Sequence, residues 1–543
     1  MDIQRLFLFL IFSFSLVMVW DGWQRYQHPE LTPPPVVATP SIPAAKPANS
    51  MAVVTNVQQV KQTGKQITVK TDLLEASINT VGGDIDQLIL REHRDALDAS
   101  KPFIFFSRGK DTHEYVAQSG LLGEAGLPNH NTAFLAAQDS YELMSGADSL
   151  QVRLVAQPAG MTKVVKVLTF HRGSYLIDQN YEVENTGAAP IKASSYFQLV
   201  RDSQPPAGSS SFIPTFTGPA VYTDKDKFQK VEFSQIDEGK TEYPNRATDG
   251  WVGMLQHYFV AAWLVPNGTE RENYTRKLSD NLYSAGVILP ETEIAPGQTQ
   301  TLGVPLYAGP ATAKLDAVAP GLGLTVDYGW LTVIANPIFW LMSLLHGWVQ
   351  NWGVAIILLT VLIKLAFFPL SAASYRSMAK MRLVAPKLEK IKQQYSDDRE
   401  QLNRAMMDLY KTEKINPLGG CLPVLVQIPV FIALYWAILS SVEMRHAPFF
   451  GWITDLSVAD PYYILPVIMG VSMIVQMRLN PVPPDPIQAK VMKIMPIAFS
   501  VIFFFFPAGL VLYSIVNNLL SIAQQWYITH QAEAGQKGAA SKR

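Results

Sequence analysis

Ala355–Phe368 reads AIILLTVLIKLAFF. Thr360 and Lys364 are the only polar residues in it. A helix here is apolar almost all round, which suits a membrane span over Gly353–Leu370 and not a soluble surface helix. An ionisable side chain at membrane depth costs several kcal/mol and usually faces a polar interior or a partner. The alternative is snorkelling, with the long stem carrying the ammonium to the headgroups. Pro369-Leu370 lies only five to six residues on, about 8–9 Å along a helix, so both readings stay open.

Four further runs look like spans: Leu418–Leu439, Tyr462–Leu479, Val491–Phe506 and Gly509–Trp526. Gly329–Trp352 is apolar and aromatic but holds Pro337, with His346 and Asn351 near its end. Trp330, Trp340, Trp348 and Trp352 suit the membrane boundary, so 326–352 is read as an interfacial amphipathic helix, a true span being the alternative. Near the start, Leu6–Trp20 (LFLFLIFSFSLVMVW) follows Arg5. A cleaved signal peptide needs a small-residue site after its apolar core. Here bulky, polar Asp21–Arg25 follows, and Ala44-Ala45 is too distant, so 1–26 is read as an uncleaved anchor. With the five spans of a core over 353–530, that makes six transmembrane helices.

The 543 residues carry a formal net charge of -1, 16% charged residues and 48% apolar ones. Soluble domains have about 25% charged residues. Such a composition excludes a disordered chain and gives no whole-protein case for nucleic-acid binding. A single cysteine, Cys421, excludes an intrachain disulfide scaffold.

The charge lies between the apolar runs. Residues 27–55 form a Pro/Ala-rich linker with Pro33-Pro34-Pro35. Residues 56–325 read as a soluble all-β domain of short strands, a large antiparallel sandwich. In Ser174–Glu184, Tyr175, Ile177, Tyr181 and Val183 alternate with polar residues, Leu176 and Gln179 being the exceptions. Gln66–Ile78 and Asp84–Leu90 behave similarly around Gly82-Gly83. The 371–417 loop holds ten Lys and Arg, whereas Ser440–Pro461 holds only Arg445. Positive loops stay cytoplasmic, so both termini, with the 531–543 tail, are expected there, and the β domain outside. Arg25, on the outer side, weakens the first segment's own signal.

In the last span Tyr513, Asn517, Ser521 and Gln524 share one face, widened by Ser514, Asn518 and Gln525; Gln427 and Gln476 lie in two other spans. Interhelical hydrogen bonding is one reading. The other is a polar groove with Lys364 as its only fixed charge. The 371–417 loop reads as a helical hairpin. Met381, Ala385, Leu388, Ile391 and Tyr395 space like one helix, and Leu402, Met406 and Leu409 like another. Ser396-Asp397-Asp398 caps the second, and Pro386 is expected in the first turn of its helix. Met378, Met381, Met406 and Met407 suit either a soft surface for apolar partners or ordinary hairpin core. There is no HExxH, GxSxG or Gly-rich phosphate loop, and no acidic residue in a span; neither catalysis nor a metal or cofactor site is indicated.

Tyr375–Met381 (YRSMAKM), Met406–Cys421 (MMDLYKTEKINPLGGC), Pro461–Gly470 (PYYILPVIMG) and Phe506–Tyr513 (FPAGLVLY) carry a resemblance to the YidC family of membrane protein insertases, in its Gram-negative form. With the anchor, linker and translocated β domain it covers essentially the whole chain. The resemblance implies an inner-membrane protein whose five core helices enclose a hydrophilic groove. It implies a periplasmic β-supersandwich related to mutarotase-like domains, and a cytoplasmic hairpin. A basic residue in the groove attracts acidic parts of nascent membrane proteins, with no nucleotide or metal. Lys364 matches that residue, where the family generally has arginine. Thr360 and Tyr513 match its substrate-contacting face. The implied partners are the lipid bilayer, the Sec translocon with SecD and SecF, the ribosome and the signal recognition particle receptor. No direct nucleic-acid recognition is implied beyond ribosome contact. The rival readings are a small-solute transporter or channel with a periplasmic receptor domain, which lacks the intramembrane carboxylates it would want, and an anchored carbohydrate-active enzyme.

Overall fold

The computed structural model describes residues 64–540, apart from 110–112, 125, 158–159, 209–214, 396–397, 414–421 and 481–485. The expected anchor, the linker, the Asn416–Cys421 motif and residues 541–543 lie outside the described residues.

From Gln66 to Pro310 the described residues form two mainly antiparallel sheets, of eleven and nine strands. Leu176–Asn185 shows why. Ile177, Gln179, Tyr181, Val183 and Asn185 are buried while their neighbours are part-exposed. That period of two places one face against the other sheet. The strand pairs with Thr162–His171 on one side and Thr299–Pro310 on the other. Gln179 broke the alternation in sequence. It nevertheless faces the core, where its amide donates to Ser119 Oγ at 2.5 Å and the Tyr181 hydroxyl meets the same oxygen at 2.7 Å. Phe170, Tyr181, Phe197, Trp263 and Leu306 fill the space between the sheets.

Gly82 and Gly83 turn with φ of 83° and 62°. Residues with a Cβ rarely adopt this conformation, and a Cβ on Gly83 would meet Lys166 Cδ at 2.9 Å. The turn thus admits a buried lysine, whose Nζ donates to Gly82 O at 3.0 Å. Asp84 is fully buried beside it; Gln118 Nε2 donates to Asp84 at 3.0 Å, and Arg108 reaches Asp84 and Asp86 at 3.4 and 2.8 Å.

The helices follow the apolar runs: α1 Phe233–Asp237, within the β domain, then α2 Thr332–Val349, α3 Trp352–Ala366, α4 Phe368–Gln394, α5 Arg399–Thr412, α6 Leu422–Ser440, α7 Ile464–Arg478, α8 Pro486–Phe503 and α9 Ala508–Ala540. Among the described residues, α2 is the one helix both long and apolar enough to cross a membrane alone. The pair α3 and α4, bent by 66°, passes the same test together. The sequence reading had placed 326–352 at the interface. In α2, Val333, Trp340, Leu344 and Trp348 are exposed, while Ala335, Phe339, Met342 and Leu345 are buried.

One detail of the hairpin differs from expectation and another agrees with it. Pro386 is not in a first turn: α4 runs unbroken from Phe368, and the proline near its start is Pro369. Pro386 removes a hydrogen bond to the Arg382 carbonyl, but it lies on an exposed face where water can replace it. Val384 and Leu388 on the other face still pack with Met406, Leu409 and Tyr410 of α5. Asp398 caps α5, accepting from the Glu400 and Gln401 amides at 3.0 Å.

The β domain seats on the helical part through Ser440–Asp460. His257 Nε2 lies 2.9 Å from Leu439 O, and Ser440 Oγ donates at 2.6 Å to the carbonyl of Asp327, in the segment that joins the last strand to α2. Arg445, the lone cation of that loop, lies over the Phe103 and Phe259 rings at 5.0 and 5.6 Å. His446 reaches Asp95 O at 3.1 Å and Asp455 at 3.3 Å.

Candidate functional site

Asn351 starts α3 by accepting the Val354 amide at 3.0 Å, which fixes the helix so that Lys364 falls in its last turn. The chain then bends into α4 at Phe367. Beside the bend, Lys364, Phe367 and Ser371 face Gln427 of α6 and Asn517 of α9 across a narrow crevice of about 20 Å³. That is room for about one water molecule. Lys364 Nζ donates to Ser521 Oγ at 2.7 Å, and Ser521 in turn donates to Asn517 O at 2.7 Å. Among the described residues no carboxylate lies within ion-pair distance of Lys364.

The polar residues of α9 divide by side. Asn518 Nδ2 donates to Ser472 Oγ at 3.2 Å. Gln525 accepts from Gln476 at 3.0 Å and donates to Leu479 O at 2.9 Å. These bonds tie α9 to α7. Asn517 and Ser521 face the crevice instead. Interhelical bonding and a polar groove therefore coexist on adjacent strips of one broad helix face.

Not every expected groove residue lines the crevice. Thr360 is fully buried one turn before Lys364, its hydroxyl bonded back to Ile356 O at 2.7 Å, because that side of α3 packs among Ala355, Ile356 and Leu359. Tyr513 lies one turn before Asn517 and is 1% exposed. Among the described residues its hydroxyl has no partner at full hydrogen-bond geometry, and the Gln427 side chain is the polar group nearest to making one. Both sit in the interhelical core next to the crevice. Ser371 and Tyr375, which the sequence reading did not single out, are buried in the first turns of α4. Their signal was the helical spacing from Pro369 onward, which joins the hairpin's first helix, read from Met381, to the bend without a break. The methionines also divide. Met378 packs on Ala372, Tyr375 and Ile528, and Met381 and Met406 join the contact of α4 with α5, while Met407 is 52% exposed.

In the β domain, burial pushes the Asp84 carboxyl up to about 6 and the Lys166 ammonium down to about 8, each opposed by the charge of the other. His130 Nδ1 lies 2.5 Å from the Tyr196 hydroxyl, and burial lowers this histidine to about 4. These groups are enclosed and each is bonded within the domain, Lys166 to the Gly82 carbonyl, Asp84 to Gln118 and Arg108, and His130 to Tyr196, the arrangement of a structural network.

Comparison with known proteins covers both parts. Residues 66–341 match the family model described as YidC periplasmic domain, and 344–536 that described as 60Kd inner membrane protein. The membrane protein insertase YidC of Nitrosospira multiformis is 54% identical over 558 aligned positions, covering 98% of each chain. That of Methylobacillus flagellatus is 55% identical over 556, covering 100% of each. That of Aromatoleum aromaticum is 53% identical over 549, covering 99% of this chain and all of its own. On matches spanning both parts and nearly its whole length, the chain belongs to the YidC family of membrane protein insertases.

Proposed function

We propose that this protein inserts nascent membrane proteins into the bacterial inner membrane and assists their folding there, with the crevice beside Lys364 as the entry groove. One observation carries the reading: an ammonium inside the helical part, held by a neutral hydroxyl and free of any carboxylate among the described residues. Family membership and the relatives' names support it.

The magnitudes fit. A substrate span of about 20 apolar residues gains roughly 6–12 kcal/mol on entering lipid, while an acidic residue at depth costs about 2.5–3.5 kcal/mol. A cation 4 Å from a carboxylate at an effective dielectric constant near 20 returns about 4 kcal/mol. One lysine therefore offsets about one acidic residue of a crossing segment, and no covalent step is required. The narrow crevice has to widen as a substrate helix enters.

The proposal includes six spans, both termini cytoplasmic, and α4 with α5 as a cytoplasmic hairpin whose exposed Met407 meets apolar clients. It includes contact with the Sec translocon and its SecD and SecF proteins, the ribosome and the signal recognition particle receptor. Its test uses proteoliposomes and a single-span substrate with an acidic translocated tail. Lys364→Ala and Lys364→Glu should both lower insertion, the latter more. Unchanged insertion in both would remove Lys364 from the mechanism. Photocrosslinkers at Gln427 and Asn517 should label a ribosome-stalled nascent chain more strongly than ones at Thr360 and Tyr513.

A further inference from the structure

Lys364 has three N–H donors. Ser521 Oγ accepts one of them at 2.7 Å. The serine's own hydrogen is committed to Asn517 O at 2.7 Å, one turn earlier in α9, so its lone pairs are left to face the lysine. The hydroxyl is therefore oriented as an acceptor before any substrate arrives. Ser521 is 7% exposed, and the Tyr375 hydroxyl also lies within reach of it. Among the described residues Nζ has no second hydrogen-bond acceptor, which leaves two donors for the crevice.

The choice of acceptor matters. A carboxylate here would neutralise the ammonium. An apolar residue would leave the four-carbon stem free to swing toward the headgroups. A hydroxyl holds the ammonium in place, keeps its charge, and binds it less strongly than a carboxylate does.

We propose that Ser521 is a positioning residue: its hydroxyl aims the Lys364 ammonium into the crevice, where a carboxylate of the substrate's translocated segment takes up the remaining donors. This rests on the insertase reading and names the substrate feature selected: an acidic segment, met by an aimed cation and not by a diffuse positive potential.

The experiment uses the full-length protein in proteoliposomes with two single-span substrates that differ only in an acidic or a neutral translocated tail. The readout is the ratio of acidic-tail to neutral-tail insertion. Losing one hydrogen bond to a charged group corresponds to roughly a ten- to hundredfold change, so Ser521→Ala should lower the ratio about that much. Ser521→Thr, which keeps the hydroxyl and its back-bond, should restore it. In a Lys364→Ala background, Ser521→Ala should lower the ratio no further. An equal loss for both tails, a continued effect without the lysine, or failure of the threonine to restore would each overturn the positioning role. If Lys364→Ala itself leaves acidic-tail insertion unchanged, the insertase reading of the lysine fails first, and the two failures stay distinct.

Discussion

Lys166 and Lys364 are both lysines withdrawn from water, one in the β-sandwich and one in the helical part. Lys166 is fully buried, with Asp84 beside it, the Gly82 carbonyl on its ammonium and the Tyr181 ring 5.5 Å away. Lys364 is half-buried beside a crevice, on a serine. A buried ion pair contributes little net stability, but breaking it leaves an uncompensated charge that costs several kcal/mol. The first lysine is therefore bound into the fold. The second has no opposite charge to lose and keeps its attraction for a visitor. Paired burial makes a charge structural; unpaired burial beside a space leaves it available.

The largest expected effect tests the first half. Lys166→Met takes the neighbouring positive charge away from Asp84, leaving it Arg108 and the Gln118 amide, and should cost about 3–5 kcal/mol, read as a lowered urea midpoint of the purified protein. Lys364→Ala should shift stability by less than about 1 kcal/mol, since no buried charge is orphaned. Equal midpoints for the two variants would erase the distinction.

Acidification asks whether the seat of the β domain behaves like the paired lysine or the free one. Burial, reinforced by Arg445, holds His93 near 4; burial also holds His257 near 4. The folded form thus binds fewer protons than the unfolded one between about pH 6.5 and 4. Stability should be full above pH 6.5 and fall by about 3 kcal/mol for each histidine as pH drops through that window. A thermal midpoint followed against pH checks this, and His93→Gln with His257→Gln should flatten the curve.

Arg445 is a third kind of withdrawn cation, held by rings. Arg445→Ala should cost about 1–2 kcal/mol, seen as faster hydrogen exchange in 440–461 and near Phe103. Exchange unchanged at both places would mean the rings do not hold the loop. The smallest effect concerns charge at the surface. Asp398→Ala removes the cap of α5 and should cost about 1 kcal/mol, measured as lower helicity of the hairpin while insertion at Lys364 persists.

Legibility in sequence followed the range of the interaction. Leu176–Asn185 showed itself because alternation is local, and α3, α6, α7, α8 and α9 because apolar runs are local. Gln179 and Pro386 misled because each is decided by a partner elsewhere: Ser119 for the first, an exposed face of a long helix for the second. Lys166 and Asp84 lie far apart in the chain, and neither residue looks unusual alone. Lys364 was legible by its apolar surroundings, but its acceptor was one among several polar residues of α9. Only geometry separated Ser521 and Asn517 from Asn518 and Gln525, which bond α7.

The bend at Phe367 also has a mechanical side. The 27 residues of α4 make a rod of about 40 Å, hinged three residues from Lys364. A rod of that length tilting by about 5° moves its far end by about 3–4 Å and its near end hardly at all. Displacement at the tip arrives at the ammonium as rotation, with a long arm on one side of the hinge and a single turn of α3 on the other.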